Sequence, residues 1–459
     1  MPATDNDKLI SQETAATASK SSSSASGSPG LWNFPLMRAL LERRSRRFAL
    51  GMEMPAGPLA YKSRHPSVPL TEAEEAMLVF AACGIAGPVL GDLCYTSEGG
   101  GNIMAGFVAR TIASGDGLQT VSLVVTNDEG TYLIRKPREL PANDIPQLVE
   151  LGRRGEFTEL YRRSRVKIKD GRATVPREPL FNINANRWSS HAPGTSFFLP
   201  INDLTFMYVN GLLEILNERT GVFILDERNN FLPAGLARYA RSRGGHLDCN
   251  PAGGRVVTVR QVEQFVTEFV TIEQGMMLQN LGLMAAALGL GGFPNFANHD
   301  FAWFQALGFR MEQMPVDRYV GASLLPSLLM KLFRRNPSIP YPVGLERDGE
   351  VLLKPFTPPY YSSMAEAVRA VVKIKSEAHK NFPASRSVQP VSDAAIKATI
   401  AYCEYLWNRY GRFPVYMPPY RTVLGFQSSH LDAEFYEKFY QPEALTQAVR
   451  DDFKKQTAR

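Results

Sequence analysis

The stretch that decides the fold runs from Val262 to Pro294 and reads VEQFVTEFVTIEQGMMLQNLGLMAAALGLGGFP. In its first half, valines recur every four residues with polar residues between them, and this spacing predicts an amphipathic helix. From Gly275 onward the apolar side chains point in every direction, and only Gln279 and Asn280 are polar before Gly289. Because a helix that is apolar on all sides must be buried on all sides, the sequence predicts a long central helix with an enclosed second half.

Three glycines on this helix, Gly275, Gly282 and Gly289, recur every seven residues and therefore share one face. Each glycine costs about 1 kcal/mol of helix stability relative to alanine, a cost that is tolerated where another backbone or a flat ligand comes very close. Two interpretations remain open. The stretch is an ordinary core helix, or it lies at a subunit interface and ends in a glycine-rich turn (Gly289, Gly291, Gly292) beside a cofactor.

The composition of the chain is that of a soluble globular protein, with 459 residues of which 44% are hydrophobic and 21% charged. A net charge of +6 suits anionic small ligands, whereas nucleic acid usually calls for a concentrated basic face, so we expect no nucleic-acid partner. The N-terminus has no apolar signal segment, and the longest apolar run is interrupted by polar residues. We therefore expect a cytoplasmic protein with no membrane partner. Its four cysteines form no CxxC pair and are expected to be reduced thiols.

Residues 1–30 are rich in serine, threonine, alanine and glycine, which predicts a disordered tail. No linker follows, so residues 31–459 are expected to form a single α+β domain with a C-terminal extension over about 340–459. Hydrophobic periodicity and capping residues predict the main elements. They are helices over Thr71–Cys83, Asp144–Arg163, Asp203–Leu216 and Ser323–Leu332, and a hairpin of strands over Thr120–Asn127 and Gly130–Arg135.

Two segments carry chemistry suited to an anionic ligand. The turn from Arg43 to Phe48 places four guanidinium groups and one hydroxyl in five residues, and arginine forks bind phosphate and delocalised anions well. The segment from Arg110 to Gly117 has small residues that let backbone N–H groups approach a ligand, with Ser114 as an added donor. The alternatives are a solvated basic turn and a plain glycine turn.

Taken in this order, three segments resemble the FMN-dependent nitroreductase family, near its azoline-oxidising dehydrogenase branch. The first is similar to the family's Arg-x-Ser-x-Arg/Lys followed by an aromatic residue. The second is similar to the branch's Arg-Thr-x-Pro-Ser-x-Gly, with alanine in place of proline. The third is similar to Ala-x-x-Leu-Gly-Leu-Gly at the end of the family's long helix. The matching residues are Arg43, Ser45, Arg47 and Phe48, then Arg110, Thr111 and Ser114, then Ala285, Leu288, Gly289, Leu290 and Gly291.

The resemblance implies a nitroreductase-like mixed sheet flanked by helices around the long central helix, in a homodimer with FMN at the subunit interface. By family position, the phosphate-binding residues are Arg43 and Ser45, with Arg44 in the same turn, and Arg47 faces the N1/O2 edge of the flavin. Four further residues are expected to line the two sides of the ring: Ser114, Gly115, Gly291 and Gly292.

The implied function is an FMN-dependent oxidoreductase with a ping-pong cycle, in which NAD(P)H reduces FMN and a quinone or nitro-type acceptor then takes the electrons. No catalytic acid or base is assigned, since the cofactor carries the hydride chemistry. His299 and Phe296 are candidates for the substrate pocket, and no metal site is expected. Two alternatives remain: a specialised peptide-type dehydrogenase or flavin-consuming protein without NAD(P)H turnover, and a cofactor-free interaction scaffold.

Overall fold

The computed structural model describes residues 34–93, 103–176, 178, 186–295, 300–322, 324–380, 388–422 and 424–458. The tail expected over residues 1–30 and the pocket candidates Phe296 and His299 lie outside the described residues. Within the described ranges the α-helices are α1 (Leu36–Glu42), α2 (Glu72–Cys83), α3 (Ile145–Arg153), α4 (Phe157–Ser164), α5 (Leu204–Ile215), α6 (Val259–Leu288), α7 (Asp300–Leu307), α8 (Val316–Tyr319), α9 (Leu324–Leu332), α10 (Met364–Lys380), α11 (Asp393–Tyr410), α12 (Ala433–Phe439) and α13 (Gln447–Thr457).

The strands of the described ranges form one large sheet and four small ones. They are β1 (Glu53–Met54), β2 (Tyr61–Lys62), β3 (Ile85–Pro88), β4 (Val108–Arg110), β5 (Val121–Thr126), β6 (Gly130–Ile134), β7 (Arg165–Asp170), β8 (Ser196–Asp203), β9 (Phe223–Asp226), β10 (Leu232–Pro233), β11 (Val256–Thr258), β12 (Gly291–Asn295), β13 (Phe309–Pro315), β14 (Ser338–Arg347), β15 (Glu350–Leu353), β16 (Tyr420–Arg421) and β17 (Gly425–Ser429).

The large sheet has the strand order β12-β17-β8-β5-β6-β7, with β16 also paired to β8, and all of its pairs are antiparallel. Strand β17 comes from the last tenth of the chain, yet it lies between β12 and β8 in this sheet. The expected α+β class is confirmed. Residues Gly425–Ser429 near the C-terminus therefore belong to the same sheet as the β5–β6 hairpin.

Both faces of the sheet are covered, and alternate residues of its central strands contact opposite layers. On one face, Leu123 and Val125 of β5 pack with Phe198 against α2 and the second half of α6. On the other face, Val124 and Phe197 pack against α7, β13 and β14. This two-sided burial explains why every residue of β5 and β8 is buried.

Most of the locally predicted elements are present. Helix α2 begins with the expected capping box between Thr71 and Glu74, α5 is capped by Asp203, and β5 and β6 form the expected hairpin. The single helix predicted over Asp144–Arg163 is wrong, because the chain forms α3 and α4 with a break between them. Gly155 lies in this break with φ +73°, a left-handed conformation that ends a helix.

The long helix expected from the sequence is present as α6, which ends where Gly289 adopts φ +75°. A Cβ atom at Gly289 would collide with the backbone of Ala448 in α13, so this position requires glycine. The expected burial on every side is wrong for the single chain, since Met276 and Gln279 are exposed. The sequence pattern shows which side chains of the helix are apolar, but it does not show whether neighbouring residues cover them. Among the helices of the described ranges, none combines the length and apolar character that crossing a bilayer requires.

Candidate functional site

The basic N-terminal turn and the glycine end of α6 meet in the structure. Arg46 pairs with Gly292 as an antiparallel bridge, and the guanidinium carbon of Arg47 lies 4.8 Å from the centroid of the Phe293 ring. Farther back along α6, a Cβ atom at Gly282 would lie 3.7 Å from Cδ of Arg43. Two stretches that are far apart in sequence therefore form one surface. We call the turn from Arg43 to Arg47, with Gly282 and β12, the arginine site.

Arg46 holds this turn in place. Its side chain is buried, and it donates from Nε to the Ala444 carbonyl oxygen (2.6 Å) and from Nη2 to that of Glu42 (3.2 Å). The hydroxyl of Tyr436 accepts hydrogen bonds from the backbone N–H groups of Arg47 (2.8 Å) and Phe48 (3.0 Å). Burial lowers the pKa of Arg46 below its usual value. Arg46 is therefore a structural anchor, and the residues on either side of it face outward.

The outward-facing donors fit an anionic group. Among the described residues, neither the half-buried guanidinium of Arg43 nor the exposed hydroxyl of Ser45 has a hydrogen-bond partner. Arg44 donates to the carbonyl oxygens of Leu41 and Arg43, both at 2.8 Å. A guanidinium and a hydroxyl this close in sequence supply the charge-assisted hydrogen bonds that phosphate oxygens accept. The donor set thus fits the phosphate of a nucleotide such as FMN.

Arg47 is oriented by two asparagines that the sequence analysis did not identify. Its Nη1 donates to Oδ1 of Asn186 (2.7 Å), and Nδ2 of Asn186 lies 3.4 Å from Oδ1 of Asn295. Nδ2 of Asn295 is buried without a hydrogen-bond partner among the described residues. Buried donors are nearly always paired, so this amide marks a place where a ligand or water completes the site. Isolated asparagines in different segments carry no spacing signal that could have revealed them.

The two glycines of β12 are explained by protein packing. A Cβ atom at Gly291 would collide with the Leu431 side chain, and one at Gly292 would collide with the Phe426 ring. Neither glycine is needed to leave room for a ligand on the side where its Cβ would be. Their assignment to the cofactor site stays a prediction that rests on their position beside Arg46.

Ser114 and Gly115 lie at a different part of α6. The hydroxyl of Ser114 donates to Oε2 of Glu273 (2.9 Å), and a Cβ atom at Gly115 would collide with the Phe269 ring. Glu273 precedes the end of α6 at Leu288 by about four turns, which places it roughly 20 Å from that end along the helix axis. Within one chain, the structure does not bring these two residues together with the arginine site.

Glu273 organises the Ser114 loop through a buried polar network. Its carboxylate forms an ion pair with Arg110, and it also accepts hydrogen bonds from the Thr120 hydroxyl (3.2 Å) and the Val121 N–H (3.2 Å). Both side chains of the ion pair are almost completely buried. Arg110 and Ser114 therefore anchor the second segment to α6, while the hydroxyl of Thr111 donates to carbonyl oxygens of α2.

A second buried polar cluster lies beside the arginine site. His430 follows β17, with Nδ1 2.7 Å from Oδ2 of Asp452 and Nε2 3.5 Å from Oε2 of Glu74. Burial opposes its charge, but the hydrogen bonds to Asp452 and Glu74 outweigh burial and raise the pKa of His430 to about 9. Burial likewise opposes the charge of Glu74, but its hydrogen bonds with His430 and Thr71 lower its pKa to about 2. Asp432, two residues after His430, caps α12 instead of joining this cluster.

This cluster has the residue types of a metal site, and its three ligand atoms lie within 4.8 Å of one another. Each imidazole nitrogen of His430 faces a different carboxylate, however, and this is the arrangement of a doubly paired imidazolium. The cluster joins α2, β17 and α13, and we interpret it as structural.

The His430 cluster predicts a pH-dependent stability. The folded pKa of His430, about 9, lies above its ordinary value of 6.5, so its contribution is complete below pH 6.5 and is lost as pH rises through 9. We expect the free energy of unfolding, measured in urea, to fall by up to about 3 kcal/mol between these values. His430→Gln should remove this slope. His246→Gln, which replaces a ring bonded to the Leu216 carbonyl oxygen, should retain it, and an equal slope in both variants would contradict the assignment.

A large cavity lies elsewhere, between β3–β4, β15, α5 and α10, with a volume of about 890 Å³. Its walls are mainly apolar, with Lys136 and Arg138 among them. Lys136 is buried and donates to the Ser122 hydroxyl (2.9 Å), while Arg138 lies 4.2 Å from the centroid of the Phe206 ring. The volume of this cavity lies in the range of pockets that bind small molecules. None of the predicted cofactor-binding residues lines it.

Comparison with known proteins gives little beyond this geometry. No known family description matches the sequence, and no curated protein matches it. Among solved structures, the chain is similar to a candidate nitroreductase from Ralstonia eutropha JMP134. The two are 13% identical, the alignment covers 60% of this chain and 75% of that one, and the TM-score is 0.29. A likeness this loose carries no argument about function.

Proposed function

We propose that the protein is an FMN-dependent oxidoreductase of nitroreductase type, which passes electrons from NAD(P)H to a small quinone or nitro-type acceptor. The observation that carries the proposal is the meeting of the arginine turn with the glycine end of α6, through the bridge between Arg46 and Gly292. The two segments singled out for cofactor binding had no reason to lie together if one were a solvated turn and the other only a core helix end.

Each residue of the site has a definite role in this proposal. Bound FMN would supply hydride acceptance and donation. Arg43 and Ser45 hold the phosphate, and Arg47, oriented by Asn186 and the Phe293 ring, places a fixed positive charge beside the flavin. A fixed cation stabilises the negative charge of a reduced flavin and raises its reduction potential. No residue is assigned as a proton donor or acceptor.

The proposal includes a homodimer formed across the exposed stripe of α6. Phe265, Ile272 and Met276 are exposed on this helix and lie seven and four residues apart, so they share a face with Gln279. A second copy packed there about a two-fold axis that crosses α6 at right angles near Gln279 would run antiparallel to the first, with its Glu273 level with Ala285. The N-terminal half of the partner helix, with its Ser114 loop, would then lie near the arginine site. The dimer thus accounts for two parts of one site that one chain holds apart along α6, by about 14 Å from Glu273 to Gly282 and roughly 20 Å from Glu273 to the helix end.

The absorbance spectrum of the purified protein tests the function directly. We expect a yellow protein that binds FMN near one equivalent per chain, and whose flavin absorbance is bleached by NADPH or NADH without oxygen. Flavin that binds but is not bleached would favour the specialised dehydrogenase or flavin-consuming alternative. A colourless protein that takes up no added FMN would reject both and leave the interaction scaffold.

The dimer is tested by placing carboxylates on the exposed stripe. Ile272→Glu combined with Met276→Glu should raise the dimer dissociation constant by about 100-fold or more, because two apolar contacts are lost on each side of the axis. Light scattering during size-exclusion chromatography measures the change. Phe231→Glu combined with Leu232→Glu, at an exposed apolar pair near β10, is the matched control and should leave the mass unchanged. A native protein that is monomeric at high concentration would contradict the dimer.

A further inference from the structure

Helix α9 and the residues around it present a broad apolar face to solvent. Single exposed apolar side chains are common, but a contiguous set marks an interaction surface. The exposed fractions here range from 42% to 89% within one short segment of sequence. We call this set the leucine face. Its members are Val320, Leu324, Leu325, Leu328, Leu329, Leu332 and Phe333.

The orientation of α9 is fixed by its opposite side. Ser327 and Lys331, four residues apart, both point toward Asp317 in α8. The Ser327 hydroxyl donates to Asp317, and Nζ of Lys331 lies 3.3 Å from Oδ2 of the same carboxylate, which is buried. Rotating the leucine face inward would break both contacts and leave a buried carboxylate unpaired. The contacts of Ser327 and Lys331 with Asp317 therefore hold the leucines on the solvent side of α9.

The charged residues within the segment that carries the leucine face are all basic. From Arg318 to Arg335 the chain contains four basic residues and no acidic residue. Asp317 is already paired with Lys331, and Glu312 on the adjoining strand β13 accepts from the Tyr341 hydroxyl (2.8 Å). Arg334 and Arg335 follow the helix directly and are exposed. The surface thus combines an apolar centre with a cationic rim.

We propose that the leucine face docks the protein on an anionic membrane surface. A second copy of this chain is a poorer occupant, because a two-fold contact would bring the cationic rims together. Acidic lipid headgroups complement the rim, while the acyl region accepts the leucines. A nine-residue helix is about 14 Å long, too short to span a bilayer but suited to lying within its interface. Interfacial docking does not need the uninterrupted apolar run whose lack led to the expectation of no membrane partner, and it is independent of the proposed function.

Co-sedimentation of the full chain with lipid vesicles tests the proposal. We expect binding to vesicles of phosphatidylcholine mixed with phosphatidylglycerol, and little binding to phosphatidylcholine alone. Arg334→Gln with Arg335→Gln should weaken binding to the mixed vesicles by about 30-fold, because each lost charge near an anionic surface costs about 1 kcal/mol, or about fivefold in affinity. Leu325→Ser with Leu328→Ser and Leu332→Ser should weaken it by at least about tenfold.

Matched controls replace equally exposed groups elsewhere. Arg153→Gln with Arg154→Gln removes two adjacent exposed charges, and Phe231→Ser with Leu232→Ser removes an exposed apolar pair. Both should bind as the native chain does. Because the leucines are exposed, their replacement should leave the melting temperature within a few degrees, which separates lost docking from unfolding.

Three results would each overturn the proposal. The native chain could fail to bind the mixed vesicles, or it could bind neutral vesicles equally well. The serine variant could also retain full vesicle binding. If the native chain does not bind vesicles and the serine substitutions change its oligomeric state, the leucine face is a contact between protein chains and the membrane proposal is wrong.

Discussion

Replacing Arg43 and Arg47 together by alanine should weaken FMN binding by at least about 100-fold, as measured by quenching of flavin fluorescence. Each guanidinium supplies charge-assisted hydrogen bonds worth about 1.5–3 kcal/mol, and the two losses together correspond to this change in dissociation constant. Arg43→Lys with Arg47→Lys keeps the charge but not the planar fork, so binding should be intermediate. The control variant, Arg241→Ala with Arg243→Ala, removes two exposed guanidinium groups that line neither the arginine site nor the large cavity, and it should bind FMN as the native chain does.

The same experiment distinguishes the arginine site from the large cavity. If FMN occupied the cavity instead, the Arg43/Arg47 variant would bind normally and Arg138→Gln would lose affinity. Arg138 contacts Asp203 (3.3 Å) and the Leu118 carbonyl oxygen (2.8 Å), so the thermal stability of that variant must be measured alongside. Normal FMN binding by the Arg43/Arg47 variant would show that FMN does not bind at the arginine site.

Glu273→Gln should lower the free energy of unfolding by about 3–5 kcal/mol, because it leaves the Arg110 guanidinium buried without a countercharge. Urea denaturation of the FMN-free protein measures the loss. Glu268→Gln is the matched control on the same helix: its carboxylate is exposed and bonded to the Gln264 amide, so the change should stay within about 0.5 kcal/mol. Equal stability of the two variants would show that the ion pair does not hold the Ser114 loop.

A second variant separates lost pairing from lost packing. Arg110→Met combined with Glu273→Leu removes both charges and keeps apolar volume, and such exchanges are often neutral or stabilising for buried ion pairs. We expect this double variant to be more stable than Glu273→Gln, although the Ser114 and Thr120 hydroxyls and the Val121 N–H lose an acceptor. If it is less stable, the carboxylate matters mainly as a hydrogen-bond acceptor.

Local sequence patterns predicted those helices and strands that are specified by hydrophobic periodicity or by capping residues. The four-residue spacing of Val262, Val266 and Val270 specified α6, and the Thr71–Glu74 pair specified the start of α2. The break at Gly155 was missed because the helical periodicity continues across it. The sheet order was not predictable from such patterns, because β17 pairs with β12 and β8, which both come from much earlier in the chain.

The candidate site was predictable only in part, for a similar reason. The arginine turn carries a motif with fixed spacing, and its meeting with β12 followed from the family resemblance. The contacts of Asn186 with Arg47, and of Asp452 with His430, join single polar residues from distant segments. Nothing in the local sequence distinguishes such residues from ordinary surface positions. The exposure of Met276 in the single chain was likewise not predictable, because an apolar residue type does not show whether a neighbour covers it.

The position of β17 has a consequence for how the chain acquires its fold during synthesis. Strands β8 and β12 leave the ribosome long before the residues that lie between them. Until Gly425–Ser429 emerges, both present unpaired backbone edges, which are templates for aggregation. The large sheet therefore cannot form completely until nearly the whole chain has been synthesised. During that time we expect the exposed strand edges to make the nascent chain a substrate for chaperones.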